Sequence, residues 1–210
     1  MSNLKHLQTF PHLTDGPFDL IVMDPPWQNK SVKRQKSYWS VTNEDFLSCP
    51  IEKLAAPGCI VVVWVTNRQS HQRFVKERLF PRWNVQFLAR WHWLKVTTSG
   101  EFVYDLDSPH KKPYEALLLG RYKNKHGSTQ GIKEQESVSD SKEDKIPQDK
   151  VIISIPCSLH SKKPYLGEIV SPYLISKPKC LELFARNLWT GWTSWGNEYL
   201  LNSLPPYLIY

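Results

Sequence analysis

The sequence predicts an α/β domain with a mostly parallel central sheet flanked by helices, and two observations support this. Two compact apolar runs, Phe18–Met23 (FDLIVM) and 58–65 (GCIVVVWV), have the length of strands and lack the polar alternation of a half-exposed strand. Further strand-like runs alternate with helical segments along the chain, which is typical of layered α/β domains. The composition, 40% hydrophobic and 22% charged, fits one globular unit over residues 1–210.

The first predicted unit is strand, helix, strand. Phe18–Met23 forms the first strand, which the two following prolines end because proline donates no backbone hydrogen bond. Thr42 or Asn43 can cap a short helix within 44–54. The apolar run 58–65 is the second strand of this unit.

A second helix is predicted over 68–79, with Asn67 as its cap and Pro81 as its end. The remaining predicted elements are strands at 85–96, 114–122 and 151–155, a helix after Pro164, and a last buried strand at 180–185. Between them, residues 123–150 are rich in Lys, Glu, Asp, Ser and Gln, with mixed charge signs, and we predict a flexible loop there.

Bulk properties exclude several classes of protein. No apolar run approaches the roughly 20 residues that cross a bilayer, so we expect no membrane partner. The four cysteines are far apart and form no C-x-x-C pair, so no metal site is predicted. A formal net charge of +7 favours attraction to phosphate groups, which makes a nucleic acid an admissible partner.

The tetrapeptide Asp24, Pro25, Pro26, Trp27 is the candidate catalytic segment. It follows a buried strand, and ligands of open α/β sheets bind beyond the carboxyl ends of the strands. An aromatic amine is a poor nucleophile because its lone pair is delocalised into the ring. The Asp24 carboxylate and the Pro25 carbonyl could accept both amine hydrogens and favour a pyramidal nitrogen, while Trp27 or Pro26 stacks on the base. A strand-ending turn would explain Asp-Pro alone, but the complete segment favours amine chemistry.

Longer strings carry a resemblance to a known family. VTNRQ at 65–69, SGEFV at 99–103, LDSPHKKPYE at 106–115, and ELFARNL with GWTSWGNE within 182–198 resemble the adenine-N6 methyltransferases that share the DPPW signature. The resemblance implies a Rossmann-like methyltransferase fold in permuted order, with the catalytic strand first and the cofactor strand near the C-terminus. It also implies S-adenosylmethionine as the cofactor. The chain lacks the G-x-G-x-x-G turn of dinucleotide enzymes, which disfavours a dehydrogenase.

The resemblance also assigns cofactor contacts. Lys163 is implied to reach the methionine carboxylate, and Arg186 with Asn187 to face the ribose. Asn197 and Glu198 are implied to close the adenosine side, and Asp24 is counted among the cofactor contacts. The family places more cofactor residues upstream of the catalytic strand, so we expect this domain to lack an upstream N-terminal region.

Basic and aromatic residues after the catalytic segment are the candidate substrate contacts, because they could clamp phosphates and stack a neighbouring base. They are Lys30, Lys33, Arg34, Lys36, Tyr38 and Trp39, with Lys111 and Lys112 as a second patch. A duplex hides the adenine amine, so a single strand or an extruded base is the expected substrate. The resemblance points to RNA, with internal 2′-O-methyladenosine of small nuclear RNA favoured, and to a nuclear location, with cytosol or mitochondrion as alternatives. Two alternative hypotheses remain: an enzyme that methylates adenine in DNA, and a catalytically silent relative that only binds RNA.

Overall fold

A seven-stranded mixed sheet organises the chain in the computed structural model, which describes residues 16–27, 42–124, 145–157 and 162–196. The strands are β1 (Phe18–Met23), β2 (Ala55–Val65), β3 (Val85–Lys95), β4 (Tyr114–Tyr122), β5 (Val151–Ser154), β6 (Cys180–Leu183) and β7 (Trp192–Trp195). Their order in the sheet is β5-β3-β4-β2-β1-β6-β7.

Strand β4 runs against both of its neighbours, β2 and β3, while the pairs β1 with β2, β1 with β6, β3 with β5 and β6 with β7 are parallel. The predicted α/β class and mostly parallel sheet are therefore confirmed. Because only β4 is reversed among these strands, its first residues lie at the edge where the other six strands end. This shared edge is called the carboxyl edge below.

Strand β1 is buried on both faces, as its continuous apolar run predicts. Leu20 and Val22 belong to one hydrophobic cluster, and Ile21 and Met23 belong to the cluster on the opposite face of the sheet. β1 lies between β2 and β6, with Met23 in register with Val63 and Leu183. The strand that precedes Asp24 is thus fixed on all four sides.

The first predicted helix is two short helices, α1 (Asn43–Leu47) and α2 (Ile51–Leu54). Of the two candidate caps, Thr42 is the one used: its hydroxyl accepts from Asp45 N, while Asp45 Oδ2 accepts from Thr42 N at 2.8 Å. This reciprocal pair satisfies donors that a helix start leaves free.

The predicted cap and end of the second helix are both wrong. The helix comprises α3 (Gln69–Phe74), a π-helical turn (Val75–Leu79) and α4 (Phe80–Arg82), with Arg68 at the cap position. Asn67 instead donates its side-chain amide to Tyr114 O at 2.7 Å. Pro81 lies inside the last helical turn. The helix continues past it, because Trp83 N still donates to Leu79 O at 3.0 Å.

The C-terminal part of the chain contains one helix that the sequence predicts and one strand that it does not predict. Helix α5 (Gly167–Val170) follows Pro164 as expected, continues into a 3₁₀ turn (Ser171–Tyr173), and is followed by β6. The sequence predicts that 180–185 is the last strand. In the structure a further strand, β7, follows β6 in the chain and pairs parallel to it. β7 escapes detection because only its last residue, Trp195, is fully buried and its sequence, WTSW, has no continuous apolar run.

The predicted loop 123–150 is ordered at its end, where Arg90 N donates to Gln148 O at 3.0 Å and His92 N to Lys150 O at 2.9 Å along β3. Trp91 Nε1 also donates to Pro147 O at 2.8 Å. Residues 125–144 lie outside the described residues, so flexibility there stays a prediction. Within the described ranges, no helix is long and apolar enough to span a membrane.

Candidate active site

Asp24 lies at the carboxyl edge directly after β1, where the strand-end rule predicts a ligand-binding residue. Its backbone N donates to Leu183 O of β6 at 3.3 Å, which places the residue between β1 and β6. The residue is only 6% exposed. A carboxylate so buried requires charged or hydrogen-bonding partners, because transfer out of water is otherwise very costly.

Five charged side chains form a continuous ionic chain through Asp24. Lys163 Nζ lies 3.3 Å from Asp24 Oδ1 and 3.0 Å from Glu115 Oε2, so it bridges the two carboxylates. Arg186 Nη1 lies 3.2 Å from Asp24 Oδ2, at the other carboxylate oxygen. Lys95 Nζ pairs with Glu115 Oε1 and completes the chain. Three basic and two acidic side chains of the described residues thus form the ionic chain.

The topology of the sheet explains why these distant residues meet. Lys95 is the last residue of β3, and Arg186 follows the end of β6. Glu115 is the second residue of β4 and reaches the same edge because β4 is the reversed strand. Lys163 comes from the connection between β5 and α5. The ionic chain is therefore built at the carboxyl edge by four different segments around the end of β1.

Burial and charge have opposite effects on the pKa values of Asp24, Glu115 and Lys163. Burial raises the pKa of Asp24 above its ordinary value, and the positive charges of Lys163 and Arg186 lower it without cancelling the effect of burial. For Glu115, burial also raises the pKa, but Lys163 and Lys95 outweigh it and hold the pKa below its usual range. Burial lowers the pKa of Lys163, whereas Asp24 and Glu115 raise it to a net value above the ordinary one. Lys163 is consequently a permanent cation that favours the ionised form of Asp24.

The rest of the catalytic segment is a tight turn. Trp27 N donates to Pro25 O at 2.8 Å, and the Trp27 indole donates to Trp64 O of β2 at 2.8 Å. Trp27 is buried, whereas Pro26 is half-buried. Of the two rings predicted to stack on a base, Pro26 is therefore the one that keeps an appreciable exposed surface.

The segments after β6 and β7 form the neighbouring wall of the site. Ala185 N donates to Trp195 O at 2.9 Å, and a Cβ on Gly196 would lie 2.5 Å from Ala185 O. Phe184, just before them, has a φ of 61°, a left-handed conformation that turns the chain toward Arg186. Arg186 and its neighbour Asn187 thus follow a sharp turn at the edge beside Asp24. Asn197 and Glu198 lie outside the described residues.

Glu182 and Ser194 are polar residues of the site that the sequence prediction missed. They are register partners on β6 and β7, and Glu182 Oε2 and Ser194 Oγ are both buried without a hydrogen-bond partner among the described residues. Burial, followed by the nearby charge of Asp24, raises the pKa of Glu182 to about 7. A charged residue inside a short apolar strand, as in CLEL, was the available sequence signal.

Lys95 and Glu115 were also missed, although Glu115 closes the string LDSPHKKPYE that carries the resemblance. Their roles depend on pairing between strands, which a single sequence does not display. His71 was missed as well; its ring stacks on Trp27 with centroids 4.8 Å apart and an interplanar angle of 19°.

The predicted substrate residues are only partly described. Lys111 Nζ lies 5.3 Å from the centroid of the Tyr104 ring, and Lys112 Nζ donates to Leu106 O at 2.7 Å. Both lysines therefore contact their own connection between β3 and β4. The others, Lys30, Lys33, Arg34, Lys36, Tyr38 and Trp39, lie outside the described residues.

The described residues contain no candidate metal site, and their cavity lies away from the ionic chain. In the part of the chain that the structure describes, no group of three or more His, Cys, Asp or Glu side chains could hold a metal ion. A cavity of about 380 Å³ is lined by residues that include Pro17, Glu52, Arg82 and Asn124. It lies at the opposite edge of the sheet, where β1 and β2 begin, and contains none of the ionic chain.

Comparison with known proteins finds a matching family and several related proteins. The sequence profile of the MT-A70 family matches residues 18–198. The human N(6)-adenine-specific methyltransferase METTL4 is 54% identical over 183 residues, which are 87% of this chain and 38% of that protein. The N6-methyladenosine RNA methyltransferase MTA1 of Cryphonectria parasitica is 35% identical over 200 residues, 91% of this chain and 54% of that protein. The DNA N6-methyl methyltransferase of Caenorhabditis elegans is 34% identical over 206 residues, 97% of this chain and 52% of that protein.

The chain thus spans between 38% and 54% of the length of these three relatives. The match to the human protein confirms the predicted relationship to the DPPW adenine-N6 methyltransferases. All three names specify N6 methylation, while the fungal name adds RNA as the substrate, the Caenorhabditis elegans name adds DNA, and the human name adds adenine without either nucleic acid.

Proposed function

The chain belongs to the MT-A70 family, and on that premise we propose that it is the catalytic domain of an S-adenosylmethionine-dependent enzyme that methylates the N6 amine of adenine in RNA. The observation that carries the proposal is the buried Asp24 carboxylate, held between Lys163 and Arg186 at the carboxyl edge. Internal 2′-O-methyladenosine of small nuclear RNA is the proposed target.

The described residues fit the cofactor by their charges. The positively charged side chains of Lys163 and Arg186 at the carboxyl edge suit the methionine carboxylate. The unpaired Glu182 Oε2 and Ser194 Oγ suit the hydrogen-bond donors of an ammonium group or a ribose. When bound, S-adenosylmethionine supplies an electrophilic methyl group on a positively charged sulfur.

Asp24 and Pro25 supply the acceptors that activate the amine. The Pro25 carbonyl already accepts from Trp27 N, and its second lone pair remains for one amine hydrogen. The Asp24 carboxylate can accept the other hydrogen and would take up the proton that the amine gives up. Burial strengthens both hydrogen bonds, because little water competes for these oxygens.

Lys163 and Arg186 lower the pKa of Asp24 and so favour the ionised state that this role requires. Burial alone would favour the protonated acid, which would donate a hydrogen bond to the amine and oppose its attack. The two cations also fix the direction of the two carboxylate oxygens. The site thus contributes mainly by positioning and by electrostatics.

The test is a comparison of three adenine-containing substrates. The protein is incubated with labelled cofactor and a 2′-O-methyladenosine RNA, the same RNA without the 2′-O-methyl group, or single-stranded DNA of the same sequence. Digestion and mass spectrometry then identify the methylated nucleoside. We expect N6-methylated adenine, formed fastest in the 2′-O-methylated RNA.

The other outcomes are equally informative. Preference for the DNA would replace RNA by DNA, an alternative that the name of the Caenorhabditis elegans relative favours. Binding of RNA with no methylation of any substrate, by folded protein that binds the cofactor, would refute the enzymatic proposal and favour a silent RNA-binding relative.

A further inference from the structure

His71 on α3 touches the catalytic segment from the side of β2. Its imidazole ring is half-buried and lies nearly parallel to the Trp27 indole, with centroids 4.8 Å apart and an angle of 19° between the planes. Phe46 of α1 meets the same indole obliquely, with centroids 5.4 Å apart. The Trp27 side chain is therefore packed between two helices, and its indole N–H is tied to Trp64 O.

His71 is itself held in a fixed orientation. Its Nδ1 is hydrogen-bonded to Thr66 Oγ1 at 2.7 Å, and Thr66 directly follows the end of β2. Gln72 Nε2 donates to Thr66 O at 3.3 Å, and Arg68 N donates to Thr66 Oγ1 at 3.3 Å. The ring that stacks on Trp27 is thus fixed to the same strand that accepts the indole N–H.

Fixing Trp27 matters because the two prolines do not fix the turn by themselves. A proline ring restricts its own φ, and Pro26 also disfavours a helical ψ at Pro25, but the ψ of Pro26 stays free, so Trp27 can swing. The hydrogen bond from Trp27 N to Pro25 O links the position of Trp27 to the direction of the Pro25 carbonyl. A displaced indole would therefore turn away the acceptor on which amine activation depends.

Building on the proposed function, we propose that His71 is a positioning residue: its flat stack on Trp27 holds the Pro25 carbonyl and the Asp24 carboxylate toward the amine. The stack requires a planar ring at position 71 and does not require a titratable nitrogen. A ring without nitrogen should therefore replace it, whereas a small side chain should not.

The experiment compares His71→Ala, His71→Phe and a matched control, His92→Ala. His92 is another half-buried histidine, in β3, whose ring contacts Tyr114 and lies outside the ionic chain. We expect His71→Ala to lower kcat about 10- to 100-fold, since small misplacements at reacting groups have effects of this size. KM for RNA and the calorimetric affinity for the cofactor should change little. His71→Phe keeps the planar ring but loses the hydrogen bond to Thr66, so it should recover kcat to within about 5-fold of the wild type, and His92→Ala should match the wild type.

A second measurement reports on the turn without catalysis. The protein is labelled with 5-fluorotryptophan, and the Trp27 resonance is assigned by its loss in Trp27→Phe. We expect this resonance to shift or broaden in His71→Ala, to return toward its original position in His71→Phe, and to be unaffected by His92→Ala. If His71→Ala does not fold, Thr66→Val replaces it in the experiment, because this variant removes the hydrogen bond that orients the imidazole. Thr66→Val should lower kcat about 5-fold, which corresponds to the loss of one hydrogen bond.

Each result decides the proposal. Unchanged kcat in His71→Ala, or no recovery in His71→Phe, would overturn it; the latter would point to a role for the imidazole nitrogens. If the wild-type protein methylates nothing, the proposed function fails and the fluorine signal alone judges His71. An unmoved Trp27 resonance in His71→Ala would then overturn the positioning role.

Discussion

Replacing Lys163 by methionine should damage both the stability and the pH dependence of this protein. Methionine keeps most of the length of the side chain and removes its charge. In the folded protein Lys163 Nζ lies 3.3 Å from Asp24 Oδ1 and 3.0 Å from Glu115 Oε2, and the side chain is only 12% exposed. Removing it leaves two carboxylates at the carboxyl edge without their shared cation.

The expected loss of stability depends on the ion pairs that remain after the substitution. Breaking a buried ion pair costs about 3 to 5 kcal/mol when it leaves an uncompensated charge. Here Asp24 keeps Arg186 and Glu115 keeps Lys95, so neither carboxylate is left without a cation. We therefore expect a loss of about 2 to 3 kcal/mol in the free energy of unfolding near neutral pH, just below that range.

The pH profile supplies the more specific test. Lys163 lowers the pKa of Asp24, so its removal must raise that pKa further. If methyl transfer requires ionised Asp24, the acid limb of the kcat profile should move to higher pH in Lys163→Met. The matched control, Lys162→Met, removes the same charge one residue away and should leave this limb in place.

Urea unfolding and the pH dependence of kcat provide the two measurements. An acid limb at the same pH in Lys163→Met and wild type, with turnover reduced only by a constant factor, would refute the electrostatic role of Lys163. It would leave Lys163 as a cofactor contact alone.

Two further predictions test the wall beside Asp24. Gly196→Ala places a Cβ 2.5 Å from Ala185 O and should lower cofactor affinity at least about 10-fold by calorimetry, since backbone cannot yield as a flexible side chain does. The control is Gly120→Ala, whose Cβ would be similarly crowded but lies outside the site, so it should lower the stability and leave the cofactor affinity unchanged. Equal cofactor affinity in Gly196→Ala, Gly120→Ala and the wild type would contradict the prediction for Gly196. Glu182 has a pKa raised from 4.5 to about 7, so its contribution to stability is present below the ordinary carboxyl pKa and is lost as the pH rises through about 7. Glu182→Gln should remove this pH dependence. In urea unfolding, the free energy of unfolding of the variant should rise relative to that of the wild type by up to about 3 kcal/mol between about pH 5 and about pH 8. Parallel pH profiles of the two proteins would contradict this prediction.

The features that the sequence predicts well are those determined locally. A strand buried on both faces needs a continuous apolar run, so Phe18–Met23 is recognised with the bounds that the structure has. The same argument predicts Asp24 at the carboxyl edge. Thr42 is recognised as one of two candidate caps, beside Asn43, because capping depends on residues within one turn of each other.

The features that escape prediction depend on contacts between distant segments. Glu115 reaches Lys163 only because β4 is reversed, and nothing near Glu115 in the sequence reports that direction. Asn67 has the residue type of a helix cap but is used in tertiary structure, where it donates to Tyr114 O. Trp27 likewise has the side chain of a stacking platform, yet His71 and Phe46 pack against it.

The central claim is that the Asp24 carboxylate activates the N6 amine of adenine, and one substitution tests it most directly. Asp24→Asn keeps the shape of the side chain and removes its charge, while Asp19→Asn makes the same change at the other end of β1. Mass spectrometry of nucleosides from 2′-O-methyladenosine RNA measures the product of each. We expect N6-methylated adenine from the wild type and Asp19→Asn, and a decrease of at least about 100-fold with Asp24→Asn, the size expected when a key electrostatic group is removed. Wild-type turnover by folded Asp24→Asn would contradict the account.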